Sequence, residues 1–306
     1  MFLVWFVAIF PVSAAPRHGV NGIIPMHTPQ INRMADAGFN FTRHWIFVDP
    51  NYTQVWNWPS YLYATLYALE FLDYNCIDYR ARGIEVVLVL AEPPGGRDNQ
   101  NRFHLFKKDH WGRQAFKDLW EYIAQRYAWD SCVVGFDLMN EPNHSTKQIQ
   151  QLLNETSALM RKYTTEKRIY HTPRRGSCYE MKDIKPVADQ FVQYTCHAYE
   201  PHNFTHGGIK DRPVRRYTKK DRKTLIRSLS AVKKLADKIG PERILIGEGA
   251  TNIFTDAASR YQWTQDLMDE IRPYNWLLYF GGEQPGQVNV WLPDQPILNL
   301  LQAEQQ

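Results

Sequence analysis

Two glutamates follow apolar segments that have the character of buried strands. Glu141 lies in Leu138–Pro142, which follows the apolar run Cys132–Phe136, and the closing proline lacks the donor that would continue a strand. Glu248 ends a second such segment between two glycines, which leave room for a ligand. Either glutamate alone could be structural, pairing with a lysine or capping a helix. Two acids at one cleft fit glycosidic bond cleavage, in which one carboxyl donates a proton and the other attacks as a carboxylate.

The elements that must position these acids alternate between strand and helix patterns. The predicted strands are His18–Ile23, Asn40–Ile46, Glu85–Ala91, Val133–Met139, Arg168–His171, Phe191–His197, Ile244–Glu248 and Asn275–Phe280. The predicted helices are Gln30–Ala37, Tyr61–Arg82, Arg113–Tyr127, Lys147–Tyr163, Met181–Asp189, Lys220–Ile239, Tyr261–Ile271 and Pro296–Gln302. Eight such units without a long linker predict one α/β domain, a (β/α)8 TIM barrel over residues 16–306, with its chemistry at the carboxyl ends of the strands.

An open, doubly wound sheet is the structural alternative to a barrel. It is disfavoured because no G-x-G-x-x-G dinucleotide fingerprint follows the first strand. The net charge of +4 comes with basic residues concentrated between Lys210 and Lys223, which we interpret as a solvated loop and helix start. No nucleic-acid-binding module accompanies them, so nucleic acid is not an expected partner. An aromatic content of 14% agrees with stacking on sugars but equally with a core.

The first fifteen residues predict a signal peptide. The apolar run Phe2–Phe10 is too short to span a bilayer, and the small residues up to Ala15 resemble a secretory cleavage site, although a basic start is missing. We therefore expect a secreted or periplasmic protein with no membrane span after cleavage. A buried first strand or a retained anchor is the alternative.

Four cysteines (Cys76, Cys132, Cys178 and Cys196) are compatible with export and with one or two disulfides, but their spacing does not select a pairing. No CxxC pair occurs and the histidines are scattered, so neither a metal site nor a cofactor is expected. Five N-glycosylation sequons occur, at Asn40, Asn51, Asn143, Asn154 and Asn203. A glycan on Asn143, two residues from Glu141, would obstruct the predicted site.

An ordered set of motifs resembles glycoside hydrolase family 5, the cellulase family. Asn140-Glu141-Pro142, His197-x-Tyr199 and Ile246-Gly247-Glu248 are similar to its signature positions, while Arg17–Asn21 and Gly38-x-Asn40-x-x-Arg43 resemble its first two strands. The resemblance covers nearly the whole chain. It implies that Glu141 is the acid/base and Glu248 the nucleophile of a double displacement with net retention.

The same resemblance implies roles for four further side chains. Asn140 is expected to bond the sugar 2-hydroxyl, a contact that strengthens in the transition state. Arg43 is expected to hold the nucleophile ionised, with a surface arginine as the alternative. His197 and Tyr199 are expected to line the site, the tyrosine hydroxyl positioning the nucleophile. A satisfied core histidine is the alternative for His197.

Two positions depart from the family pattern. The family usually has a histidine at the end of strand three, where this chain has Ala91, and a tryptophan at the end of strand eight, where it has Phe280. Phe280 keeps an aromatic floor for the sugar without the indole donor. Among further aromatics that could stack on sugars (Trp45, Trp56, Trp58, Phe103, Trp111 and Trp291), we select Trp56 and Trp58.

Together the patterns predict a retaining, cellulase-like glycoside hydrolase. It is expected to act as a monomer and without a cofactor on a β-linked polysaccharide or oligosaccharide, either glucan-like or mannan-like. The sequence does not decide whether the enzyme cleaves within chains or at their ends, or whether it hydrolyses or transglycosylates. The alternative from another class is a barrel that binds carbohydrate without cleaving it, suggested by Ala91 and Phe280.

Overall fold

Eight parallel strands close into a barrel in which each strand pairs with the next and β8 pairs with β1. The strands are β1 His18–Gly22, β2 Phe41–Ile46, β3 Glu85–Leu90, β4 Val133–Asp137, β5 Arg168–His171, β6 Val192–His197, β7 Ile244–Glu248 and β8 Asn275–Tyr279. This computed structural model describes residues 17–22, 28–46, 48, 57–209, 211–252, 254–279 and 295–303. The predicted barrel is therefore confirmed. The predicted signal peptide, Trp56, Phe280 and Trp291 lie outside the described residues.

Helices cover the outside of the barrel. They are α1 Thr28–Asp36, α2 Trp58–Ala81, α3 Trp111–Tyr127, α4 Thr146–Met160, α5 His202–Thr205, α6 Lys219–Ile239, α7 Ala257–Ile271 and α8 Gln295–Ala303. Helix α2 begins three residues earlier than predicted because the Asn57 side chain caps it, accepting from the Ser60 amide, and a proline lies in its first turn. None of these helices, within the part of the chain that the structure describes, is long and apolar enough to cross a membrane.

Two separate apolar clusters follow from the alternation of side chains along the strands. Val86, Leu88 and Leu90 of β3 belong to the larger cluster, which also contains the buried faces of the helices. Val87 points to the opposite side, into a small cluster with Phe41, Tyr170, Leu245 and Leu277. Arg43 follows Phe41 by two residues and so extends from the same face of β2, toward the carboxyl end of the barrel.

The helix predicted over Met181–Asp189 is wrong. The segment instead contains a 3₁₀ helix over Cys178–Asp183, after which Ile184 is extended. Pro186 explains the difference, because a proline disfavours α-helical geometry at the preceding residue and cannot donate a helical hydrogen bond. A disulfide between Cys178 and Cys196 ties this segment to β6, while Cys76 and Cys132 are buried thiols.

Candidate active site

The two predicted acids meet at the carboxyl end of the barrel. Glu248 is the last residue of β7, and Glu141 lies four residues beyond the end of β4. One oxygen from each carboxylate and a ring nitrogen of His197 all lie within 4.8 Å of one another. Retaining glycosidases hold their two carboxyl groups about 5–5.5 Å apart, whereas inverting enzymes leave about 6.5–9.5 Å for a water. The spacing therefore suits direct attack by one carboxylate.

Glu141 has a strained backbone. Its φ of 44° lies in the left-handed region, which residues with a side chain adopt at a cost. Such strain is concentrated at functional sites, where the surrounding structure holds it in place. The Glu141 side chain is 41% exposed, in contrast to 6% for Glu248, so the two carboxylates experience different surroundings.

A buried arginine holds the carboxylate of Glu248. Arg43 donates from Nη1 to Glu248 Oε1 at 2.6 Å, from Nε to Asp137 Oδ2 at 2.9 Å, and from Nη2 to Asn140 Oδ1 at 3.0 Å. The rigid fork of the guanidinium thereby sets the relative positions of three side chains from two strand ends. Arg43 is fully buried, so the surface alternative is wrong. Asp137 was not among the predicted residues, although a carboxylate closing an apolar strand was a usable signal.

Tyr199 supplies the second donor to Glu248. Its hydroxyl donates to Glu248 Oε2 at 2.9 Å, so that each carboxylate oxygen receives one charge-assisted hydrogen bond. These bonds fix the orientation of the carboxylate. The backbone places Tyr199 just beyond β6, before the cis peptide bond between Glu200 and Pro201.

His197 lies between the two glutamates. Its Nδ1 is 2.8 Å from Glu141 Oε1, and its Nε2 is 3.5 Å from Glu248 Oε1. Burial alone would lower the pKa of His197, but the charge of Glu248 and the hydrogen bond and charge of Glu141 raise it above its usual value. Burial likewise pushes the pKa of Glu141 upward, but His197 and the charges of Arg43 and Arg97 bring it below its usual value. These opposite shifts favour an ion pair between Glu141 and His197.

The segment between β5 and β6 packs directly against this pair. Gly176 has a φ of 63°, and a Cβ added there would lie 2.7 Å from His197 Nδ1 and 3.1 Å from Glu141 Cγ. The amide of Arg175 donates to the carbonyl of Pro142 at 2.7 Å, next to Glu141. Sequence reasoning missed Gly176, because a single glycine in a loop carries no sign of which side chains approach it.

The asparagine of the sequon beside Glu141 is held by internal hydrogen bonds. Asn143 is only 6% exposed, and its Nδ2 donates to the carbonyls of Gln100 and Asn101. Its Oδ1 accepts from Arg175 Nε at 3.1 Å. A glycan would have to break these contacts, so this sequon stays unmodified in the fold described here.

The aromatic residues proposed for sugar stacking have different surroundings. Trp58 is half-buried at the start of α2, and lines a shallow cleft of about 470 Å³ with Trp111 at the start of α3. Trp45 is half-buried, with the Arg43 guanidinium 5.1 Å from its ring centre. Phe103 is fully buried beneath Arg97, which excludes it as a stacking platform.

Two groups of side chains, among the residues that the structure describes, bring possible metal ligands together. They are Glu141, His197 and Glu248 in the cleft, and Cys76, Asp130 and Cys132 near the amino end of β4. An arginine already lies against each group: Arg43 bonds Glu248, and Arg80 bonds Asp130. Each arginine supplies the positive charge that a metal ion would bring, so neither group requires one.

A model of the cellulase family, glycosyl hydrolase family 5, matches residues 19–280. The chain belongs to this family. Endoglucanase H of Acetivibrio thermocellus is 28% identical over 175 residues, which cover 56% of this chain and 19% of that protein. Endoglucanase C of the same organism is 24% identical over 141 residues, covering 45% of this chain and 41% of that protein. The chain thus spans less than half the length of these curated relatives.

Solved structures similar to this family 5 chain share its fold. Cellulose synthase subunit Z from Clostridioides difficile superposes with a TM-score of 0.73 at 19% identity, covering 94% of this chain and 99% of that one. Endoglucanase Cel5A from Thermotoga maritima also gives 0.73 at 19% identity, covering 93% and 96%. At this identity the likeness establishes the (β/α)8 barrel alone.

The end of β3 is one of the two places where the sequence predicts a departure from the family 5 pattern. Ala91, predicted to stand at the usual histidine position, is 6% exposed. The next residue, Glu92, is buried, and its carboxylate accepts a hydrogen bond from Arg97 Nε at 2.8 Å. The Tyr61 hydroxyl donates to the backbone carbonyl of Glu92. Burial raises the pKa of Glu92 in spite of the opposing effect of Arg97.

Proposed function

We propose that this family 5 protein hydrolyses β-linked glycans by a retaining double displacement. The observation that carries the proposal is the pair of carboxylates with oxygens within 4.8 Å in unlike surroundings. Glu248 is buried and held by two donors, as a nucleophile must be to stay ionised and oriented. Glu141 is more exposed and contacts a histidine that can exchange a proton with it.

In the first step Glu248 attacks the anomeric carbon while Glu141 protonates the leaving oxygen. The Glu248–carbon bond forms as the glycosidic bond breaks, giving a covalent glycosyl-enzyme. The proton reaches Glu141 from the pair that it forms with His197, since bound substrate excludes water and raises the pKa of a carboxylate. Asn140, fixed by Arg43, is assigned to the sugar 2-hydroxyl.

In the second step the ionised Glu141 removes a proton from water, which attacks the anomeric carbon. The Glu248–carbon bond breaks, and the carboxylate returns to the hydrogen bonds of Arg43 and Tyr199. Two inversions at the same carbon give net retention. The His197 ring accepts the proton that Glu141 collects, which restores the starting ion pair.

The substrate class that we propose is a β-linked glucan or mannan. The curated relatives are endoglucanases, and Thermotoga maritima Cel5A has been crystallised with cellobiose and with mannotriose. Trp58 and Trp111, at the starts of neighbouring helices, line one shallow cleft, and we assign them to stacking on a long chain. Secretion and the cleavage after Ala15 stay predictions from the sequence.

The test is the activity of Glu141→Gln and Glu248→Gln on a panel of soluble β-glucans, mannan and xylan. Each change keeps the shape and removes the ionisable group, so kcat/KM should fall by roughly 10²–10⁴-fold or more. Glu155→Gln on the surface of α4 is the matched control and should hydrolyse like the wild type. Wild-type rates in either cleft variant would contradict the mechanism.

The competing proposal is a barrel that binds glycans without cutting them, which the loss of the strand-three histidine at Ala91 favours. Calorimetric binding of an oligosaccharide that remains intact after prolonged incubation would support it. Cleavage of any substrate in the panel, lost in the Glu248→Gln variant, excludes it.

A further inference from the structure

Two histidines become neighbours only because the chain forms one helical turn after β6. His202 begins α5 and His206 follows its end, and the His206 amide donates to the His202 carbonyl at 3.1 Å. Their ring centres are 4.6 Å apart, with an angle of 30° between the planes. Histidines at i and i+4 of a helical turn share one face, which is the spacing used by helical zinc-binding motifs.

Hydrogen bonding fixes the tautomer of His206. The Thr205 hydroxyl donates its single proton to the Tyr199 carbonyl at 2.6 Å. It must therefore accept from His206 Nδ1, which lies 2.9 Å away and carries the proton. The lone pair of His206 is then on Nε2. Metal-binding histidines show the same arrangement, in which the second ring nitrogen donates to an oxygen that orients the ring.

The histidine pair lies beside the catalytic cleft. Both rings contact Tyr199, the donor to Glu248, at centre distances of 6.0 Å for His202 and 5.2 Å for His206. The charges of Arg212 and Glu141 both act on His206.

We propose that His202 and His206 form a two-histidine site for a borderline divalent cation, represented by Zn²⁺, at the rim of the cleft. Imidazole nitrogens suit Zn²⁺, Ni²⁺ and Cu²⁺, whereas Mg²⁺ and Ca²⁺ require oxygen ligands. His202 is exposed, so water completes the coordination. The nearby charge of Arg212 opposes the cation, so the affinity is that of a regulatory site and below that of a closed structural one.

A cation in this site would inhibit hydrolysis, an effect that rests on the proposed function. Its positive charge adds to those that already lower the pKa of Glu141 and keeps that carboxyl ionised, so that it holds no proton for the leaving oxygen. It also restricts the Tyr199 ring that orients Glu248. The inhibition should be reversed by a chelator and should be absent with Mg²⁺.

Binding is tested by calorimetric titration of the intact chain with Zn²⁺ alone, produced in a host without N-glycosylation because Asn203 lies between the two histidines. His202→Ala and His206→Ala should each weaken binding by at least about tenfold, and Thr205→Val, which removes the orienting hydroxyl, by roughly 10–100-fold. His104→Ala is the matched control, because His104 and His110 form another histidine contact with centres 5.7 Å apart. That variant should bind like the wild type.

The binding and the inhibition have separate outcomes. If the wild type gives no heat of binding with Zn²⁺, or if His202→Ala binds it equally well, the site is refuted whether or not the protein hydrolyses glycans. In the activity assay each protein is compared with its own metal-free rate: Zn²⁺ should slow the wild type and leave the rate of His202→Ala unchanged. Equal inhibition of both proteins would refute the link to the cleft.

Discussion

At the scale of single residues, His197 links the proposed acid/base, Glu141, to the proposed nucleophile, Glu248. Its ring nitrogens are 2.8 Å from Glu141 and 3.5 Å from Glu248, and the surrounding negative charge raises its pKa. One proton is therefore shared between Glu141 and His197, and the pair titrates as a unit. The pair keeps this proton until the pH rises through the raised pKa of His197. Activity should persist to a correspondingly high pH.

His197→Asn tests this sharing through the pH dependence of kcat/KM. Without the imidazole, the acid proton resides on Glu141 alone, whose ordinary pKa is about 4.3, below the value of about 6.5 for histidine. The alkaline limb of the profile should therefore move to lower pH. Glu155→Gln again serves as the control, with an unmoved limb. An unchanged alkaline limb in His197→Asn would show that His197 only packs against the acids.

The sequence alone predicted those site residues whose side chains are typical of catalysis. Glu141, Glu248 and Tyr199 lie at or just beyond the carboxyl ends of strands, which a parallel barrel brings to one face, and Arg43 extends from within β2. The bonds from Arg43 and Tyr199 to Glu248 were expected only from the family resemblance, since local sequence does not show side-chain geometry across the barrel. The histidine pair at His202 and His206 was dismissed as part of a scattered set because the short helix that joins it was not predicted.

At the scale of elements, the connection between β5 and β6 holds the acid in place. It has a 3₁₀ helix where a regular helix was predicted, and the Cys178–Cys196 disulfide ties it to β6. The strands themselves were predicted within two residues because continuous apolar runs mark covered parallel strands. Local sequence could not show that this connection packs against His197, since that contact joins residues distant along the chain.

Gly176→Ala tests the role of this connection, with Gly83→Ala as a matched control. Both glycines have φ near 64° (63° and 65°), so alanine costs a similar backbone strain of about 1 kcal/mol at each. A Cβ on Gly83 meets nothing within 4 Å, whereas one on Gly176 meets His197 and Glu141. Gly176→Ala should lose most of its kcat, while Gly83→Ala should keep it with a small decrease in Tm. Equal kcat values in the two variants would contradict the packing argument.

At the scale of the whole molecule, two buried histidines make the fold sensitive to acid. Burial lowers the pKa of His44 to about 4 and that of His171 to about 3. The unfolded chain protonates these rings near pH 6.5 while the folded chain does not, so the free energy of unfolding falls as the pH drops below that value. His197, with its raised pKa, has the opposite sign and stabilises the fold below pH 6.5.

His171→Gln should flatten the acid dependence of stability. The free-energy cost of keeping one such ring neutral at pH 4 is on the order of 3 kcal/mol, which the variant no longer incurs. Ser157, whose hydroxyl lies 2.7 Å from the ring, can still bond the amide. Thermal unfolding of the two proteins between pH 4 and 7 measures the difference, with the exposed His202→Gln as the control. Parallel curves for wild type and His171→Gln would contradict the assignment.

In the proposed mechanism Glu248 attacks the sugar while Glu141 gives its proton to the leaving oxygen, and the two carboxylates lie closer than the separation that inverting enzymes use. The most direct measurement follows the anomeric signals of the first product by proton NMR during cleavage of a soluble β-1,4-linked oligosaccharide. The β-anomer should appear first and the α-anomer only later, through mutarotation. An α-anomer formed first would contradict the mechanism.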